Sequence, residues 1–81
     1  MPTFFFDIKG NDDYSLDMEG TQYAGAHEAQ ADAVRMLLAL AQDEARHRSQ
    51  NKLSVLISDE NRQPVMEANI DCSVTVLSEL L

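Results

Sequence analysis

Between Ala26 and His47 the apolar residues return every three or four positions, and this run constrains the chain more than any other feature. Ala29, Ala33, Met36, Leu37 and Leu40 form one stripe of a helix, and Val34, Leu38, Ala41 and Ala45 form a second stripe beside it. Gln30, Asp32, Arg35, Gln42, Asp43 and Arg46 fall largely outside both. The segment is rich in Ala, Leu, Met, Gln and Glu, which lose little side-chain freedom in a helix. Glu28 and Asp32 stand at the positive end of the helix dipole, and Arg46, His47 and Arg48 at the negative end. Ser49-Gln50-Asn51 is a polar stop. One helix cannot bury its own apolar stripe, so the rest of the chain must supply a surface for it.

The flanking segments have the period of strands. Thr3 to Lys9 alternates, with Phe4, Phe6 and Ile8 on one side and Thr3, Phe5, Asp7 and Lys9 on the other. Gly10-Asn11-Asp12-Asp13 is a cluster of turn formers, after which Tyr14, Leu16 and Met18 alternate with Ser15 and Asp17, so the two runs read as a hairpin. Glu19 to Gly25 reads as a connection, in which Gly20 can take a positive φ. After the helix, Leu53, Val55 and Ile57 alternate with Ser54, Leu56 and Ser58. Asp59-Glu60-Asn61-Arg62-Gln63 is a turn, and Pro64 to Ile70 is a fourth strand with Met66, Ala68 and Ile70 on one face. Ser73 to Leu77 alternates again, either as an extension past an irregularity near Asp71-Cys72 or as a short fifth strand. The expected fold class is α+β: a single small domain over residues 1–81, in the order ββαββ, with one antiparallel-rich sheet and a single long helix on one face. Ala33, Leu37 and Leu40 should then pack on Phe4, Phe6, Leu53, Val55 and Ile57.

Charge narrows the partners. Fourteen acidic residues against six basic ones give a formal net charge of −8. That repels a nucleic-acid backbone and an anionic membrane surface, and leaves a basic protein as a compatible partner. An acidic surface also simply keeps a small domain soluble. No stretch approaches the ~20 apolar residues of a membrane span, and the start of the chain lacks the basic region and apolar run of a signal peptide. The expected location is the cytoplasm. Cys72 is the only cysteine, which excludes an internal disulfide and a multi-cysteine zinc site, and its thiol is expected buried or half-buried.

No chemistry-bearing constellation stands out. His27 and His47 lie about 30 Å apart along one helix and cannot share a metal within a chain. Asp43 and His47, four apart, make a helix-face pair near the C-terminus more readily than half of a metal site. Asp12, Asp13, Asp17 and Glu19 lack the spacing of a calcium loop and read as a solvated loop. Cys72 has no His near it in sequence, and no Gly-x-Ser-x-Gly, Ser-x-x-Lys or glycine-rich phosphate loop occurs. No enzyme activity and no cofactor or metal are expected.

A resemblance adds to this. Phe4-Phe5-Phe6-Asp7-Ile8, Asp17-Met18-Glu19-Gly20, the Ala-rich run from Glu28-Ala29 to Ala45, and the hairpin of Val55–Ser58, Asp59-Glu60-Asn61-Arg62-Gln63 and Pro64-Val65 occur in that order. Together they resemble a family of short uncharacterised bacterial proteins, over roughly Thr3 to Ile70, with a departure near Gln63 where a turn glycine is usual. That family is of unknown function and implies no catalytic or binding residue. Gly20-Thr21 and Glu28-Ala29-Gln30-Ala31-Asp32-Ala33 are also similar, at fold level only, to HicB-type antitoxin domains.

What remains is apolar surplus. The sheet face away from the helix would carry Phe5, Leu56 and Val65, and the helix carries the second stripe of Val34, Leu38, Ala41 and Ala45, which is either well buried or a seam. Contiguous apolar surface on a small domain marks an interface. The expectation is a binding or regulatory module working through protein contacts as a homodimer, with Phe5, Leu56, Val65, Val34, Leu38 and Ala41 as interface candidates. The alternatives are an acidic decoy that occupies a basic nucleic-acid-binding partner, and a small enzyme or metal-binding domain.

Overall fold

The structure is a computed structural model and describes residues 1–79. Its element order is β1 (Thr3–Lys9), β2 (Tyr14–Ser15), β3 (Thr21–Gln22), α1 (Ala26–Glu44), β4 (Gln50–Ser58) and β5 (Pro64–Ser73). The strands form one antiparallel sheet in the order β2-β1-β4-β5, with β3 also on β1. β2 and β3 therefore share one edge of β1: Ile8 and Lys9 face Ser15 and Tyr14, while Thr3 and Phe4 face Gln22 and Thr21. On its other side β1 pairs with β4, Phe6 opposite Ile57 and Ile8 opposite Val55. β4 pairs with β5 along almost its whole length, Leu53 opposite Ile70, Val55 opposite Ala68 and Ile57 opposite Met66. The far side of β5 has no neighbour among the described residues.

The helix lies over β4 and β5. Its inward stripe, Ala29, Ala33, Leu37 and Ala41, meets Phe4, Phe6, Leu53, Val55 and Ile57 in one core, flanked by Ile8, Tyr23, Met36, Leu40, Met66, Ala68 and Ile70. Three alanines in that stripe let the helix sit close to the β-branched residues Val55 and Ile57, which are almost fully buried. Tyr23 closes the β1 end of the core, its ring stacked on Phe6 at 5.6 Å and tilted against Phe4 at 6.2 Å.

The α+β class and the ββαββ order hold, with four adjustments of extent. β2 is two residues long, not five, and a two-residue β3 lies inside the expected connection. The helix ends at Glu44. Arg46, His47 and Arg48 follow it in turns whose N–H groups donate to the Asp43 and Glu44 carbonyls. β4 begins at Gln50, three residues before the first core position. β5 runs through Asp71-Cys72 to Ser73, and Val74–Leu77 form no further strand, although the Val74 N–H still donates to the Ser49 carbonyl at 2.7 Å. Cys72 is exposed, not buried, and stands opposite Asn51 near the end of β5.

Candidate functional site

Phe5, Asp7, Asp17 and Arg62 meet on the side of the sheet away from the helix. β2 and β3 leave a gap on the β1 edge at Phe6. The Asp17 carboxylate fills it, accepting the Phe6 N–H at 3.0 Å with one oxygen and the Gly20 and Glu19 N–H groups at 2.9 and 3.1 Å with the other. This explains why β2 stops at Ser15: a side chain takes over the ladder partner that Asp17 would otherwise present from its backbone. Burial pushes the Asp17 carboxyl up, but these N–H groups and the nearby Arg62 outweigh it and hold the group below its ordinary value. Gly20 sits at φ +74°, and a Cβ there would lie 2.7 Å from Thr3 Cγ2 and 3.2 Å from the Phe4 carbonyl oxygen. The Asp17-Met18-Glu19-Gly20 run is thus a backbone clasp on β1, and its acids do not converge on a cation.

Asp7 is buried on the same face and accepts the Asp17 N–H at 2.9 Å. Arg62 reaches across from the β4–β5 turn. Its guanidinium lies 3.8 Å from the centre of the Phe5 ring, donates to the Asp17 carbonyl at 2.6 Å and stands 3.7 Å from Asp7 Oδ1. Arg62 is also the one non-glycine among the described residues with positive φ, +63°. The turn is closed by Asp59, whose Oδ1 accepts the Asn61 and Gln63 N–H groups. The left-handed position where a glycine would be at ease is therefore Arg62, one residue before Gln63, and its contacts with Phe5 and the Asp17 loop offset the strain.

A second polar cluster ties the hairpin loop to the helix end. Asn51 is 2% exposed, and its amide donates to the Arg48 and Cys72 carbonyls while its oxygen accepts Asn11 Nδ2 at 3.0 Å. Asn11 Oδ1 in turn accepts the Lys52 N–H. Arg48 pairs with Asp12 and lies 3.8 Å from Glu44. Near this end is an open groove of about 630 Å³ bordered by Lys9, Asn11, Arg48, Lys52 and Asp71. It mixes both signs of charge, and every buried side-chain polar atom among the described residues already has a partner. At the opposite end, Tyr23 donates its hydroxyl to Asp32, which also pairs with Arg35. Burial and that hydrogen bond push the Tyr23 phenol up to about 12, while the bonds from Tyr23 and Arg35 hold Asp32 below its ordinary value.

The interface candidates separate into three groups. Phe5 is half-buried, covered by Arg62 from its own chain, and Leu56 is half-buried between Asp7 and Glu67 on the neighbouring strands. Ala41 is 6% exposed and belongs to the core, because the helix turns that position toward the sheet. Val34, Leu38 and Val65 remain, 42%, 54% and 48% exposed. Val34 lines a groove with Met66 and Ala68 of β5, and Leu38, one helical turn on, shares its side of the helix. The site that emerges is the flank of the molecule formed by the unpaired edge of β5 and the Val34–Leu38 side of α1. Sequence periodicity put Val34 and Leu38 on a second stripe beside the inward one, but neither its exposure nor the strand that would lie at the sheet edge beside it was readable from it.

His27 and His47 are both exposed, and no group of three or more His, Cys, Asp or Glu among the described residues is arranged to hold a metal ion. No helix among the described residues is long and apolar enough to cross a membrane. No curated protein and no solved structure matches the chain at a significant level. A family model described as a domain of unknown function, DUF6894, matches residues 3–71, from the first residue of β1 to all but the last two residues of β5, so the clasp, the helix and nearly all of both hairpins lie within it and the chain belongs to that family.

Proposed function

We propose that this chain is a non-enzymatic module that acts through protein contacts and works as a homodimer. One observation carries the reading: β5, ten residues long, is a sheet edge with no neighbour among the described residues, and the exposed Val34, with Leu38 one helical turn on, lies alongside it. A long edge offers a row of N–H and C=O groups to another chain, and proteins that do not use such an edge blunt it with charges (lysines above all), prolines, bulges or brevity. β5 carries no lysine; its charges are Glu67 and Asp71, and its proline and its register shift both lie at its first end, which leaves Met66 to Ser73 regular. The open sheet face supports the reading less, since Arg62 already covers Phe5. The reading sets the module in the cytoplasm, where the exposed Cys72 thiol stays reduced. The likeness to HicB-type antitoxin domains stays at the level of a hairpin, a Gly-Thr step and a helix, and names no partner.

Light scattering or sedimentation across a concentration series tests it. The wild-type chain should reach twice the monomer mass. Leu38→Asp, at a position exposed in the monomer, should stay monomeric with an unchanged helical signal. A wild-type chain that remains monomeric at high micromolar concentration would overturn the homodimer.

A further inference from the structure

Resting on that reading, we infer that the occupant of the flank is a second copy whose β5 pairs antiparallel with the first, in the register that sets Ala68 opposite Ala68 of the other copy. The phase of the ladder comes first. The Val74 N–H bonds to the Ser49 carbonyl, and Gln50 faces Ser73, so residues 72, 70, 68 and 66 turn their backbone groups toward β4. Glu67, Asn69, Asp71 and Ser73 therefore offer theirs outward, and a symmetric partner must align these outward residues with one another.

Charge and the place of Val34 then choose the register. Centring the pair on Asn69 sets Glu67 against Asp71 twice, acid on acid, which is destabilising. Centring it on Ala68 sets Glu67 against Asn69 and Met66 against Ile70, with the register shift at Val65 falling at each end of the ladder. The acids of the two copies then meet only on diagonals, roughly 7–8 Å apart. Centring on Ile70 also avoids direct acid pairs but leaves Met66 of each copy, which shares a groove with Val34, outside the ladder. On the helix face the favoured register stacks Ala68 on Ala68 and Met66 on Ile70, all half-buried in the single chain.

The helix layer agrees. α1 lies over β4 and β5, and an axis midway between these strands would be half a strand spacing inside β5. A twofold axis half a spacing outside β5 brings the two helices about 10 Å apart, the distance at which helices pack. Val34, which shares a groove with Met66 and Ala68, then lies next to the axis. β5 is about 33 Å long by its rise per residue, and the molecule is 17–21 Å across. The flank thus offers roughly 600 Å² per copy, at the small end of specific interfaces.

Ala68 and its counterpart form a non-hydrogen-bonded pair with Cα atoms about 4.5 Å apart, within disulfide reach. Under mild oxidation at a concentration where sedimentation reports the dimer, Ala68→Cys in a Cys72→Ser background should cross-link most chains. Ile70→Cys in the same background, offset by roughly 13 Å, and the wild-type Cys72, offset by roughly 27 Å, should not. Asn69→Lys is the second variant: it faces Glu67 twice in this register and should tighten the dimer about two- to tenfold, whereas an Asn69-centred pair would set the new lysines against each other and loosen it. Cross-linking at Ile70→Cys or Cys72 in place of Ala68→Cys overturns the register and leaves the homodimer standing. A chain that is monomeric throughout overturns both.

Discussion

Arg62 and Tyr23 are the residues whose chemistry departs furthest from an ordinary surface. Arg62 holds a left-handed backbone that costs a non-glycine residue about 1–2 kcal/mol, and its guanidinium sits on Phe5 and the Asp17 carbonyl. Arg62→Ala keeps the strain and loses the contacts, while Arg62→Gly loses the contacts and relieves the strain. Denaturant melts should therefore rank wild type, Arg62→Gly and Arg62→Ala in falling stability, the last two separated by about 1 kcal/mol. Equal stability of the two variants would show that the turn relaxes once the side chain is gone. Tyr23 is pushed up to about 12 from its ordinary value of 10.0 by burial and by its bond to Asp32. A folded pKa above the unfolded one favours the protonated native state, so this contribution is complete below about pH 10 and is lost as pH rises toward 12. In a Tyr14→Phe background Tyr23 is the only tyrosine, and phenolate absorbance against pH should give a midpoint well above that of the urea-unfolded chain. Asp17 and Asp32 work in the other direction: their depressed pKa values stabilise the fold above the ordinary carboxylate range and that stability fades as pH falls through it.

The elements owe their ends to side chains more than to propensity. β2 and β3 are the two ends of one edge partner interrupted by the Asp17 clasp, and the loop after β1 is held by Asn11 against Asn51 and the Lys52 N–H. The helix is bound to the sheet by a stripe of three alanines and one leucine, so Leu37 supplies most of the volume that the helix itself buries. Leu37 is 4% exposed, and Leu37→Ala should cost about 2–5 kcal/mol in urea or thermal unfolding. An unchanged midpoint would take Leu37 out of the core and rotate the helix. The helix pattern and both long strands were legible because each repeats a burial period over many residues. Leu16 and Met18 misled for a physical reason: they keep strand alternation, yet they are exposed in a loop, because the hydrogen bonds that would have made a strand go to one carboxylate.

At the scale of the whole molecule, charge and apolar burial oppose each other. Two copies bring together sixteen net negative charges, twice the −8 of one chain, while the flank of β5 and α1 removes apolar surface worth about 25 cal/mol per Å². Arg35, Arg48 and Arg62 are paired within the chain, which leaves few cations to meet a second copy. Salt screens the repulsion, with a Debye length of ~30 Å at 0.01 M and ~8 Å at 0.15 M. The homodimer should accordingly tighten as salt rises, measured by sedimentation at fixed pH. A dimer that weakens with salt would mean that ion pairs across the interface hold it.

From the sequence alone came the class of the fold, the inward stripe of the helix and the partner residues Phe4, Phe6, Leu53, Val55 and Ile57, because burial imposes a period of 3.6 or 2 that local order records. The tertiary structure alone decided that β5 is the open edge, that Ala41 is core while Val34 and Leu38 are not, and that Arg62 closes over Phe5. Those facts depend on which strand lies beside which and on how far the helix is turned about its axis. Contacts between residues far apart in the chain set both, Phe6 with Ile57 between strands and α1 with β4 and β5 across the core, and no local spacing encodes them.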